Sequence, residues 1–221
     1  MLYDIVFLNV QKVYQGRNPE NNRNSGKKEC ILAQKKLTNM LSILSGRFIE
    51  KRIPFCLIGA FALGFYGLPR HTVDIDFMVD TDSGAQALEI LTGAGYTCFQ
   101  KTERFAQFDS EYDVFGKVDL MFAATDDGRE MIRRSVLLDA ELIGRVPVVQ
   151  PTDYIILKLL AIANDKERLP KDEFDISEFF KGYRTFGISG QFEKIDAKRI
   201  YRFAEKFGQT GLIQKYMTTE K

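Results

Sequence analysis

Val73-Asp74-Ile75-Asp76-Phe77-Met78-Val79-Asp80 is the stretch on which the reading of this chain turns. Successive side chains of a strand point to opposite faces. Val73, Ile75, Phe77 and Val79 therefore share an apolar face, which is the core face. Asp74, Asp76 and Asp80 share the other. Two residues along a strand separate Cα atoms by roughly 6.6–6.8 Å. Carboxylates that close repel unless a cation lies between them. The plain alternative, a solvated acidic face, stands beside this reading for the two aspartates alone.

Working outward, a third carboxylate lies in Lys117-Val118-Asp119-Leu120-Met121-Phe122. Val118, Leu120 and Phe122 point one way and Asp119 the other. A strand laid beside the first would complete a triad of Asp74, Asp76 and Asp119, with side chains able to lean toward a metal pair spaced about 3.5–4 Å. Upstream, Phe55-Cys56-Leu57-Ile58 reads as a short buried strand. Gly59-Ala60 then opens a helix that is expected to stop near Gly67, with Pro69 beyond it. A helix start offers free N–H groups to a phosphate. In Leu68-Pro69-Arg70-His71-Thr72, Arg70 can pair with phosphate and Thr72 can hydrogen-bond beside the acidic strand.

The rest of the chain is consistent with a mixed body followed by helices. Leu37, Met40, Leu41, Leu44 and Phe48 recur at helical spacing and predict a helix over 33–51. A helix over Ser83 to Leu91 ends at Gly93 and Gly95. Strands are expected at Tyr96 to Gln100, Arg104 to Phe108 and Lys117 to Phe122. A hairpin around Gly144 would join Val136 to Ile143 with Val146 to Gln150. Helices follow over Tyr154 to Ala163, Asp172 to Tyr183 and Glu193 to Phe207. The expected organisation is a poorly ordered extension over 1–30, a core over 31–150 and a helical region over 151–221. Residues 16–29 read as a polar mobile tail or linker, and Ile5 to Val10 as an add-on strand or the product of a badly chosen start site.

Composition narrows the function. With 31 Lys and Arg against 30 Asp and Glu, the net charge is +1, so binding of nucleic acid by bulk charge is excluded. The single histidine, His71, removes a His-rich zinc site and leaves carboxylate chemistry. Three scattered cysteines, Cys30, Cys56 and Cys98, with no C-x-x-C pair fit a reducing cytoplasm better than a disulfide scaffold. The N-terminus has none of the features of a secretory signal, and no stretch approaches the roughly 18 apolar residues of a membrane span.

Gly59-Ala60, Gly67, Arg70-x-Thr72-x-Asp74-x-Asp76 and the distant Asp119 together resemble the minimal nucleotidyltransferase fold of the DNA-polymerase-β-like superfamily. The nearer likeness is to bacterial stand-alone nucleotidyltransferases, including the toxins of AbiE-type toxin–antitoxin pairs. It covers about residues 55 to 123, and extends to Pro151-x-Asp153-x4-Lys158-Leu159-Leu160-Ala161 and Lys171-Asp172-x-x-Asp175-Ile176. The resemblance implies an α+β fold, with a mixed β-sheet flanked by helices and a C-terminal helical region. It implies transfer of an NMP from an NTP to an acceptor hydroxyl with release of pyrophosphate, using Mg²⁺ or Mn²⁺. Asp74, Asp76 and Asp119 would hold metal. Gly59, Ala60, Arg70 and Thr72 would hold the nucleotide, and Lys158 would join the catalytic set. The acceptor stays open among RNA, protein and small molecules, and an antitoxin is an implied partner.

One departure matters. The family usually has Gly-Gly or Gly-Ser where this chain has Gly59-Ala60, so a hydroxyl that would touch phosphate is missing. This keeps a second reading open: a catalytically inactive nucleotidyltransferase fold that binds or regulates a partner. Lys158, the one cation in an apolar helix, either snorkels to solvent or reaches a phosphate or carboxylate of the site. Asp172 and Asp175 lie i, i+3 on one helix face, where a stabilising role competes with a functional one. His71 is not expected to act as a base. Lys194, Lys198, Arg202 and Lys206 recur every fourth residue on one predicted helix, with a solvated face as the default and a nucleic-acid or phosphate contact as the alternative. Phe179, Phe180, Tyr183 and Phe186 read as core or interface.

Overall fold

The computed structural model describes residues 24–110, 115–188 and 190–217, and the readings made for residues 1–23 lie outside them. The described chain forms two compact units. One runs to Phe65 and from Pro69 to Val149, and the other comprises Tyr66–Leu68 and Gln150 onward.

The first unit is built on a mixed seven-stranded sheet. Its strands are β1 (Phe55–Ile58), β2 (Asp74–Asp80), β3 (Tyr96–Lys101), β4 (Phe105–Ser110), β5 (Lys117–Ala123), β6 (Val136–Ala140) and β7 (Gly144–Val148), in the order β3-β4-β5-β2-β1-β7-β6. The α+β class with a mixed sheet is therefore as the resemblance implied. β2 runs antiparallel to β1 and parallel to β5, with seven consecutive register pairs from Asp74↔Lys117 to Asp80↔Ala123. Parallel neighbours need a long crossover. Here the chain between β2 and β5 supplies a helix over Gly84–Gly93 and the hairpin of β3 and β4, which pair antiparallel.

Helix α1 (Asn24–Glu50) begins nine residues before the predicted start at 33 and so takes in part of the expected polar linker. Its Leu37, Met40, Leu41, Leu44 and Phe48 are all buried, as the periodicity required. Phe48, Phe55 and Phe77 meet edge to face with centroids 5.1–5.7 Å apart, the arrangement aromatic quadrupoles favour. Helices α2 (Gly59–Phe65), α3 (Gly84–Gly93) and α4 (Asp126–Arg133) complete the unit.

Two local readings need correction. Val73 is 59% exposed and lies just before β2, so the apolar face of the strand starts at Ile75. The strand takes its first pair at Asp74, and the residue before it escapes the pleat. Helix α4 had no counterpart in the sequence reading. It is short and polar, and its signal is a cap: the Thr125 hydroxyl accepts from the Gly128 N–H at 3.2 Å, with Asp126 and Asp127 in the first turn.

The second unit contains α5 (Pro151–Asn164), α6 (Leu169–Phe186), α7 (Ala197–Lys206) and α8 (Thr210–Met217). Pro151 at the first turn starts α5, where its missing N–H costs nothing. Tyr66, Tyr154, Phe179 and Phe192 form an aromatic cluster around which α5 and α6 pack. Helix α7 starts at Ala197 rather than Glu193, because Asp196 caps it by accepting from the Arg199 N–H at 3.0 Å. The segment before it is held by side chains of the α5 start instead. The Glu193 N–H donates to Gln150 Oε1, and the Asp196 N–H to Thr152 Oγ1. No described helix is long and apolar enough to cross a membrane.

Candidate metal centre

Asp76 and Asp119 are register partners across the parallel β2–β5 pair, and Asp74 lies two residues before Asp76 on the same strand. Alternation puts all three on one face of the sheet. Their carboxylates each offer an oxygen within 4.8 Å of the others, and all three residues are half-buried. That is three hard oxygen ligands converging on a single locus, with negative charge that only a cation offsets fully. The set fits Mg²⁺ or Mn²⁺ and lacks the nitrogen and sulfur ligands that select softer metals.

Each acid is held by a different neighbour. The Thr72 hydroxyl donates to Asp74 Oδ1, and the Asp74 N–H reaches the Thr72 oxygen at 3.5 Å. Thr72 is buried, so the position expected to touch nucleotide is engaged with the first aspartate. Asp119 accepts from Gln107 Nε2 at 3.0 Å, an amide on β4 in register with it. Sequence reasoning missed Gln107; its signal, a polar residue alternating with Ala106 and Phe108, is too common to single out. Asp76 has Gly59 against it. Gly59 has φ +66°, and a Cβ there would overlap the Asp76 carboxylate, with Cγ 2.6 Å away. Glycine thus satisfies both the left-handed backbone and the close approach.

Asp80 shares the face but not the cluster. Its Oδ2 lies 3.4 Å from Arg129 Nε on α4, and its Oδ1 accepts from the Asp82 N–H. Arg129 also approaches Asp82 at 3.6 Å. The fourth acid of the acidic face is thus a structural anchor for α4.

Of the other predicted positions, Ala60 is buried in α2 directly after Gly59. Arg70 is half-buried, and its Nη1 donates to the His71 carbonyl at 3.2 Å. His71 is exposed. Lys158 belongs to the helical unit and does not snorkel. Its Nζ donates to Asp172 Oδ1 at 2.7 Å and to Asp175 Oδ2 at 2.6 Å, all three residues being buried. Arg168 adds a second cation to Asp172 at 2.9 Å. Asp153 is buried against Arg199 of α7. Lys198, Arg202 and Lys206 are exposed on α7, whereas Lys194 is exposed ahead of the helix and not part of its face.

The model of the AbiEii family, described as the nucleotidyl transferase AbiEii toxin of a type IV toxin–antitoxin system, matches residues 42–211. Among solved structures, the chain is similar to ANT(2'')-Ia in complex with adenylyl-2''-tobramycin. The TM-score is 0.55 at 14% identity, covering 77% of this chain and 96% of that one. It is also similar to MenT4, a nucleotidyltransferase toxin from Mycobacterium tuberculosis H37Rv. There the TM-score is 0.50 at 16% identity, covering 80% of this chain and 65% of that one. At these identities the likenesses speak for the fold. No curated protein matches the chain significantly.

Proposed function

The chain belongs to the AbiEii family of nucleotidyl transferase toxins, and from that premise we propose that it transfers an NMP from an NTP to an acceptor hydroxyl in a metal-dependent reaction. The observation that carries the reading is the convergence of Asp74, Asp76 and Asp119 within 4.8 Å. Asp74 and Asp76 would hold the nucleotide-associated Mg²⁺ or Mn²⁺. Asp119 would hold a second ion facing the acceptor. When bound, such ions neutralise charge on the phosphates and on the attacking and leaving oxygens.

The remaining work falls to the chain. The acceptor oxygen forms a bond to the α-phosphorus, the bond to the bridging oxygen breaks, and pyrophosphate leaves with its electron pair. The acceptor proton must be lost, and Asp119 is the carboxylate assigned to that side. Backbone N–H groups at Gly59 and Ala60 would hold the triphosphate, with Arg70 as a supplementary cation. Thr72 acts at one remove, by orienting Asp74. Most of the rate gain comes from positioning and charge complementarity.

Family membership supports an antitoxin as a partner of this chain. The acceptor is to be found by experiment. The full chain is incubated with each labelled NTP, Mg²⁺ or Mn²⁺, and total tRNA, protein extract or small-molecule acceptors, with the Asp74→Ala/Asp76→Ala variant as control. Label transfer that depends on both aspartates supports the reading. Absence of nucleotide binding with metal present overturns it. Nucleotide and metal binding without transfer to any acceptor favours the inactive binding protein instead.

A further inference from the structure

Neutral donors reach two acids of the triad. Asp119 accepts from the Gln107 side-chain amide, and Asp74 from the Thr72 hydroxyl. An Arg or Lys beside a carboxylate orients it and also offsets its charge. The Gln107 amide does only the first. It engages Asp119 Oδ2 and restrains the carboxylate plane, and it adds no positive charge of its own to the cluster. The register makes this durable, because Gln107 and Asp119 are direct cross-strand partners in the antiparallel β4–β5 pair.

We propose that Gln107 is a positioning residue for the metal centre: its amide holds Asp119 Oδ2 and so sets the orientation in which Asp119 meets a divalent cation. The inference rests on the metal-dependent reading given above. Its chemical content is that position 107 must be a donor and must be uncharged. A cationic side chain there would pair with Asp119 and compete with the ion for the site. An apolar side chain would remove this restraint on Asp119, and outer-shell partners of this kind are worth about 10–100-fold in metal affinity.

The test measures metal binding without nucleotide, so activity does not enter. Free Mn²⁺ is followed by electron paramagnetic resonance with the full-length wild type, Gln107→Met and Gln107→Lys, alongside thermal melts. The wild type is expected to bind Mn²⁺, Gln107→Met to bind about tenfold more weakly, and Gln107→Lys to bind none while melting no lower than wild type. Equal Mn²⁺ affinity in wild type and Gln107→Met overturns the inference and leaves the metal centre standing. Absence of Mn²⁺ binding by the wild type overturns both. If Gln107→Met does not fold, the wild type still decides. The Gln107 side-chain amide resonances are expected to move on Mg²⁺ titration and to saturate with the binding curve. Resonances that stay fixed while Mg²⁺ binds would reject the role.

Discussion

Gly59 and Asp76 are packed so closely that no side chain fits between them: a Cβ on Gly59 would overlap the Asp76 carboxylate. The turn from β1 into α2 and the second acid of the triad therefore constrain each other. Gly59→Ala is expected to lower stability by about 1–2 kcal/mol from the left-handed backbone alone. It should also push Asp76 out of the cluster. Thermal melting together with Mn²⁺ binding checks this; a destabilised variant that binds Mn²⁺ like wild type would refute the second part.

Asp119→Asn should separate folding from function. The residue is half-buried and sits against two like charges, so neutralising it relieves repulsion in metal-free buffer. The melting temperature without metal is expected to hold or rise. Wild type should gain about 1.4 kcal/mol at Mg²⁺ ten times above Kd, and the variant little. NMP transfer should fall by about 100-fold or more, as for loss of a group acting directly on transition-state charge.

Lys158 is expected to matter first through stability. It bridges two buried carboxylates, Asp172 and Asp175. Lys158→Met leaves Asp175 without that cation and should cost about 3–5 kcal/mol. Lys158→Met/Asp175→Leu should recover much of it. Urea denaturation of the single and double variants measures the difference, and a double variant no more stable than the single one would contradict the account.

Alkaline pH should destabilise the sheet unit through Tyr96. Burial, and then the nearby Asp109 carboxylate, pushes its phenol up to about 12 from the usual 10. The folded state therefore favours the neutral phenol. Its contribution is fully present below pH 10 and is lost as pH rises toward 12, up to about 2–3 kcal/mol for a shift of this size. Denaturation midpoints between pH 9 and 12 should fall less for Tyr96→Phe than for wild type. Tyr96→Phe also gives up the hydroxyl donated to the Phe115 carbonyl at 3.3 Å, so it starts lower.

Much of the fold could be read from alternation. Asp74, Ile75, Asp76 and Phe77 spell one strand, Val118, Asp119 and Leu120 another, and burial follows the spelling. The identity of neighbours could not. Nothing in Gln107 announces that β4 lies against β5 with the amide on Asp119, because that contact depends on tertiary register. Lys158 was visible as an anomaly in an apolar helix, and Asp172 and Asp175 as a spaced pair. Their meeting required two helices to be packed. Helix α4 was missed because its stability comes from the Thr125 cap and from Met131 and Ile132, too few apolar positions for a period to emerge.

The parallel pairing of β2 with β5 has a consequence for synthesis. A chain that has emerged only as far as Asp80 carries two of the three acids and no centre; the third arrives only after the intervening helix and hairpin have been made. Pairing strands so far apart in sequence is among the slower steps of sheet assembly. The acidic triad is thus completed late and all at once, when β5 closes on β2.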